Sequence, residues 1–139
     1  MFNMALVDSV VETVAMRAAA RHKKHRGVHA IVYPFDDGRT QVVNISIVDS
    51  WTGRPLVLFY SIIGRFQADL DFRALLSGSL NTHYGRICLI QNNFLAVAAS
   101  LNLQECKDEL MLSSIELRVR EIALMADNLE QEFYGVDEF

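Results

Sequence analysis

The sequence predicts a single α+β domain in which an antiparallel sheet packs against helices, with the elements in the order α-β-β-β-α-β-β-α. The two terminal segments carry apolar residues at helical spacing. The apolar segments between them are separated by short turn sequences, such as Asp-Asp-Gly-Arg at 36–39. Connections this short join antiparallel strands. A chain of 139 residues, 51% of them apolar in type, can form one domain over residues 1–139 with its own core.

The first segment is predicted to be a helix that ends near Gly27. Val7, Val11 and Val14 fall at a spacing of four and three, which places them on one helix face. Cations are concentrated at 17–26, and they are expected in the last turns because the helix dipole favours positive charge there. Gly27 is expected in the left-handed position that follows a helix.

Three strands are predicted next, over residues 28–35, 41–48 and 56–63. Apolar and polar residues alternate in the second of them, as in a strand with one buried face. The third is apolar on both faces and must therefore be covered twice. The helices of the domain provide one cover, and a second chain is a candidate for the other.

A short helix and a hairpin are predicted in the second half of the chain. The helix has Asp69 as its expected cap and bears leucines at 70, 75, 76 and 80. The hairpin joins residues 86–91 to residues 94–101 through Asn92 and Asn93, which tolerate the positive φ angles of a tight turn.

The last helix is predicted over residues 108–134 and has a broad apolar face. Its main stripe is formed by Ile115, Val119, Ile122, Ala126, Leu129 and Phe133. Leu110, Leu117 and Leu124 form a second row. A helix on the surface of a domain buries one face, so this second row is a candidate interface.

Composition and charge bear on the class of partner and the compartment. A net charge of −4 argues against nucleic acid as the main partner, because duplex-binding proteins usually have a strongly basic face. The longest apolar run is far shorter than the ~20 residues that cross a bilayer, so no membrane association is expected. The first residues show no secretory pattern, and the two cysteines suggest no disulfide framework. A cytoplasmic protein is therefore expected.

No arrangement in the sequence points to catalysis, a cofactor or a metal. His22, His25 and His29 have metal-like spacing, and the first two can share a helix face, but Gly27 takes the third off it. They are interpreted as part of a solvated basic helix end. His83 is expected to be structural or exposed. The chain has neither a P-loop nor a GxGxxG sequence.

The cysteines and the basic run leave minor alternatives. Cys88 lies in an apolar strand, and Cys106 is surrounded by acidic residues, so neither fits an activated nucleophile. A metal- or thiol-dependent enzyme using His22, His25 or Cys106 remains the least favoured class. The basic run at 17–26 is interpreted as a solvated helix terminus, with contacts to phosphates or to an acidic protein as the alternative.

Several short stretches resemble one known superfamily. A helix that ends in Leu75-Leu76 is followed by Asn81 and by the hairpin over residues 86–101. Leu101-Asn102-Leu103 then leads into the last helix, and Ala126-Asp127 with Leu129 lies near its end. In these features the chain resembles the class I type III secretion chaperones and the YbjN-type proteins described as bacterial sensory transduction regulators. Asn102 stands where the family often has proline.

This resemblance implies a function carried by surfaces. Chaperones of this kind are homodimers that hold an extended segment of a client protein. The chain is therefore expected to be a non-catalytic homodimeric protein-binding module, chaperone-like or regulatory. The alternative is a structural or adaptor subunit of a larger bacterial assembly. Dimer or client contacts are expected at Val57, Leu58, Phe59 and Tyr60, with Trp51, in a turn, as a further candidate.

Overall fold

The computed structural model describes residues 4–135, which form three α-helices and one six-stranded sheet. Two short 3₁₀ turns, Gly78–Asn81 and Gln91–Asn93, flank the fifth strand. In chain order the helices and strands are α1 (Met4–Arg17), β1 (Arg21–His25), β2 (Val28–Pro34), β3 (Thr40–Asp49), β4 (Pro55–Arg65), α2 (Phe72–Ser77), β5 (Arg86–Ile90), β6 (Phe94–Asn102) and α3 (Asp108–Tyr134).

The sheet is antiparallel throughout, with the strand order β1-β2-β3-β4-β6-β5. β4 lies in the middle of the sheet, between β3 and β6, and β1 and β5 are the two edges. α1 and α3 pack against each other and against one face of the sheet. The predicted fold class, an antiparallel sheet packed against helices, is confirmed.

The core lies between that face of the sheet and the helices. Ile31, Val43 and Phe59 from the sheet are fully buried there, as are Val11 of α1 and Ile115 of α3. The main apolar stripe predicted on α3 is buried from Ile115 to Leu129, and Phe133 packs against its end. Within residues 4–135, no helix is both long and apolar enough to span a membrane.

The first helix is shorter than predicted, and the structure contains a strand that the sequence did not indicate. α1 ends at Arg17, and 21–25 form β1, which pairs with β2 in a hairpin. The prediction that the cations and Gly27 terminate a helix was therefore wrong. Arg26 and Gly27 instead form the hairpin turn, with φ angles of 51° and 80°. Positive φ at both central residues is the geometry of a type I′ turn, one of the two turn types that join strands in two-residue hairpins.

Two further details separate prediction from structure. The cap of α2 is Asp71, whose carboxylate accepts a hydrogen bond from the backbone N–H of Ala74, so the assignment to Asp69 was wrong. The hairpin turn at Asn92 and Asn93 is confirmed, with φ angles of 64° and 61°.

The end of α3 is fixed to β4 by a close contact. The ring of Tyr134 lies directly over Gly64, where a Cβ atom would overlap it, and its hydroxyl donates a hydrogen bond to the backbone oxygen of Arg65. The strand pairing shifts register between Ile62 and Gly64, which marks a β-bulge. Glycine is thus required here because the helix end approaches the strand backbone.

Candidate protein-binding surfaces

One face of the sheet, which we call the open face, is not covered by any element that the structure describes. Strand register places on it two sets of residues. The apolar set is Ala30, Val32, Val42, Leu56, Leu58, Tyr60, Ile62, Cys88, Ile90, Phe94, Ala96 and Ala98, and the polar set includes Asn44, Ser46, Arg86, Ser100 and Asn102. Leu58 and Tyr60 at its centre are only partly buried, and neither belongs to the core nor packs against it.

The chemistry of the open face differs from that of an ordinary solvated sheet. Antiparallel sheets with one packed face usually alternate apolar residues inward with polar residues outward. In β4, every outward residue from Leu56 to Ile62 is apolar. Six strands that average about eight residues span an area of about 700 Å² over the whole face, polar positions included, close to the ~800 Å² that each partner contributes to a standard interface.

The five residues predicted as contacts fall into three environments. Val57 and Phe59 point into the core and have no exposed surface. Leu58 and Tyr60 alternate with them and lie on the open face. Trp51 lies in the turn between β3 and β4, where its side chain is fully exposed. The structure thus brings Leu58 and Tyr60 onto one surface and leaves Trp51 apart from the core.

A second apolar surface runs along α3. Leu110, Leu117 and Leu124, the predicted second row, are 53%, 50% and 42% exposed. Leu117 and Leu124 line a groove of about 720 Å³ between α3 and the loop at 78–84. Met125 and Leu129 also line this groove, and polar groups such as Arg120 lie among them.

The loop that forms the other wall of the groove is held by one carboxylate. Glu121 of α3 accepts hydrogen bonds from the backbone N–H groups of His83, Tyr84 and Gly85, at 2.9, 2.7 and 2.7 Å. Burial raises the pKa of Glu121, but the three N–H donors outweigh it and the pKa is lowered overall. The guanidinium of Arg118 also lies over the ring of Tyr84, at 4.2 Å.

Two of the candidate metal-binding histidines contact each other at the other end of the molecule. His29 of β2 is buried, and its Nε2 donates a hydrogen bond to Asp8 of α1 at 2.7 Å. Its Nδ1 is 2.8 Å from Nε2 of His22. One of these two ring nitrogens donates its hydrogen to the other. Lys24 donates to the same carboxylate at 2.8 Å.

These contacts fix β1 to α1 through charge. The hydrogen bond from Lys24 lowers the pKa of Asp8, with burial opposing it and His29 adding to the effect. Burial and the charge of His29 lower the pKa of His22. His25 is exposed on the opposite side of the strand. The three histidines do not converge, and the shared helix face expected for His22 and His25 does not exist.

No group of three or more His, Cys, Asp or Glu side chains within residues 4–135 is arranged to hold a metal ion. His83 is exposed in the loop beside the groove. Cys88 lies on the open face, and burial raises the pKa of its thiol. Cys106 is partly buried and contacts Ser114 at 3.9 Å.

Comparisons with known proteins identify the fold. No family model matches the sequence, and no curated protein matches it. The chain is similar to a chain of the HopA1–SchA chaperone–effector complex, with a TM-score of 0.59 and 10% identity over 98% of this chain and 100% of that one. It is also similar to a chain in the structure of the Yersinia pestis type III secretion chaperone SycH with a fragment of YscM2, with a TM-score of 0.49 and 14% identity over 87% and 97%. The likeness to the first of these chains shows the chaperone-like fold that the resemblance predicted.

Sequence reasoning missed two parts of these surfaces. It did not anticipate that Glu121 would hold the loop at 83–85, and no local pattern marks that contact because 36 to 38 residues separate the partners. It also did not place Cys88 and Leu58 on one face. Strand alternation determines which side of the sheet each residue faces, but the residues of two strands can be compared only once the strand order is known.

Proposed function

We propose that this chain is a non-catalytic, homodimeric, chaperone-like protein that binds a segment of a client protein. The observation that carries the proposal is the open face, whose central strand β4 presents only apolar residues between Leu56 and Ile62 on a side that no element among residues 4–135 covers. Contiguous apolar surface that the domain leaves uncovered marks interaction sites. The similarity to a chain of a chaperone–effector complex supports the same class of function.

The open face is assigned to the second copy of the chain. Two sheets that pack face to face interdigitate their side chains about 10 Å apart, and β4 at the centre of the open face presents only apolar residues outward between Leu56 and Ile62. Leu58 and Tyr60 are the central contacts in this arrangement. Leu58→Glu places a charge in the middle of the interface and is expected to convert the dimer to a monomer. Met16→Glu, at an exposed apolar residue of α1 away from the open face, is the control and is expected to leave the mass unchanged.

The groove along α3 is assigned to the client. Its apolar floor, formed by Leu117, Leu124 and Met125, suits the apolar side chains of a segment that lies along the helix. The protein works in the cytoplasm in this proposal, as the sequence predicts. Its role is that of a secretion chaperone or of a YbjN-type regulator.

Site-specific photo-crosslinking in the native cells tests client binding. A photoreactive residue at Leu124 is expected to give one defined adduct, and the cross-linked peptides of the client should map to one contiguous segment. The same residue at Arg73, exposed on α2, is the control and is expected to give no such adduct. A ladder of many unrelated proteins, or equal adducts from both positions, would contradict client binding. Recovery of a folded multi-subunit complex would instead indicate an adaptor subunit.

A further inference from the structure

The edge strand β1 carries an unusual charge pattern. Arg21 and Lys23 alternate with His22 and Lys24, so they point to the open-face side while the other two point towards α1. His25 continues the outward row. The outer edge of β1 has no neighbouring strand among residues 4–135, so its backbone groups on that side are available for pairing.

The outward cations are not compensated within the described chain. Lys24 pairs with Asp8 at 2.8 Å, and Arg17 pairs with Glu116 at 3.0 Å. Arg21 and Lys23, by contrast, form no ion pair among residues 4–135. The sequence from 18 to 35 contains no Asp or Glu. A protein with a net charge of −4 therefore has one strongly positive edge.

The same charges exclude a second copy of the chain from this edge. Antiparallel pairing of β1 with β1 of a copy would bring Arg21 and Lys23 of both chains together on one face, and like charges on paired strands are destabilising. Beside these cations lies a shallow depression of about 470 Å³, to which Val32 contributes an apolar wall. The edge thus offers positive charge, an apolar contact and free backbone groups together.

We propose that the outer edge of β1 binds an extended acidic segment of the client, with Asp or Glu at alternate positions opposite Arg21 and Lys23. This inference rests on the proposed client-binding function and names the chemistry of the client. The strand backbone supplies hydrogen bonds, and the cation row selects the acidic side chains. Leu117 and Arg120 line both that groove and a second depression, which extends to Arg17 at the end of α1 and to Tyr33 of β2.

Fluorescence anisotropy with defined peptides tests the proposal. The probe is a labelled peptide that alternates glutamate and valine, and the reference is its serine–valine counterpart, both at low salt. Two exposed ion pairs give the glutamate peptide an advantage of about tenfold in Kd. Arg21→Glu combined with Lys23→Glu removes that advantage. Arg54→Glu combined with Arg73→Glu, two exposed arginines elsewhere, is the matched control and keeps it.

Charge reversal also gives a gain-of-function readout that a misfolded variant cannot show. The Arg21→Glu, Lys23→Glu variant is expected to bind a lysine–valine peptide about tenfold more tightly than the wild type does. Equal binding of the glutamate and serine peptides up to millimolar concentration would overturn the proposal. So would a dT oligomer that displaces the glutamate peptide and binds more tightly, because the edge would then be a nucleic-acid site.

The failure of this proposal is distinguishable from failure of client binding. If the peptides show no charge selectivity while a photoreactive residue at Leu124 still cross-links to one client, the proposal for the outer edge of β1 is wrong and the proposed function is supported. If the Leu124 adduct is also absent, the proposed function falls as well.

Discussion

Replacing Glu121 by glutamine tests how the wall of the groove is held in place. The substitution preserves the shape of the side chain but removes its charge. The amide oxygen can still accept from the backbone N–H groups of Tyr84 and Gly85, which both contact Oε1. The amide nitrogen then faces the N–H of His83 and cannot accept its hydrogen bond, so this N–H donates to water instead.

The magnitude follows from the hydrogen bonds. A bond to a charged group contributes about 1.5–3 kcal/mol, and a neutral one about 0.5–1.5 kcal/mol. In Glu121→Gln the hydrogen bonds from Tyr84 and Gly85 have a neutral acceptor, and the one from His83 is lost. Because water can replace part of this stabilisation, we expect a net loss of about 1–2 kcal/mol in the free energy of unfolding. With a urea m-value of about 2 kcal/mol/M, the midpoint falls by roughly 0.5–1 M.

Urea denaturation, followed by circular dichroism of the helices, measures this loss at two pH values. Glu121 has a folded-state pKa below its ordinary value of 4.5, so its carboxylate stabilises the fold above that value. The stabilisation is lost as the pH falls through the folded-state pKa. The difference between the wild type and Glu121→Gln is therefore full at neutral pH and shrinks in acid below 4.5.

The control is Glu105→Gln, at an exposed acid in the turn before α3, which is expected to change stability by less than about 0.5 kcal/mol. Equal midpoints for Glu121→Gln and the wild type at neutral pH would refute the reasoning. A loss of stability that is the same at every pH would refute it as well, because the charge would then not be the cause.

Two further predictions concern packing and thiol reactivity. Gly64→Ala is expected to lower the free energy of unfolding by about 1–3 kcal/mol, because the added methyl overlaps the Tyr134 ring. In urea denaturation, adding Tyr134→Ala to this variant should recover part of that loss. If the two substitutions lower the free energy of unfolding additively, the overlap is contradicted. Cys88 is expected to react with iodoacetamide more slowly than Cys106 near neutral pH, because burial raises the pKa of its thiol. Peptide mass spectrometry measures both rates, and faster labelling of Cys88 would contradict that burial.

The helices and the inner strands were predictable because their apolar spacing matches their environment. α3 was predicted over its observed length, because the apolar stripe in its sequence matches the face that is buried. The helix ends at Tyr134, and Gly135 after it adopts the left-handed conformation. β1 was not predictable in the same way. Its sequence, Arg-His-Lys-Lys-His, has no apolar alternation, and its inward residues are satisfied by Asp8 and His29, which lie elsewhere in the chain.

The candidate surfaces were predictable only in part. The two-sided apolar character of β4 indicated that a second cover is needed, and the structure shows that its outward residues face no element of the described chain. Which of Val57, Leu58, Phe59 and Tyr60 remain accessible depends on the side of the sheet that α1 and α3 occupy. That choice is made by long-range packing and has no local sequence signal.

The solution mass, measured by light scattering across a range of protein concentrations, tests the central claim most directly. The open face as a self-association surface predicts a stable dimer, with a mass near twice the 15.7 kDa of the chain. A monomer at every concentration would contradict the assignment of the open face to a second copy.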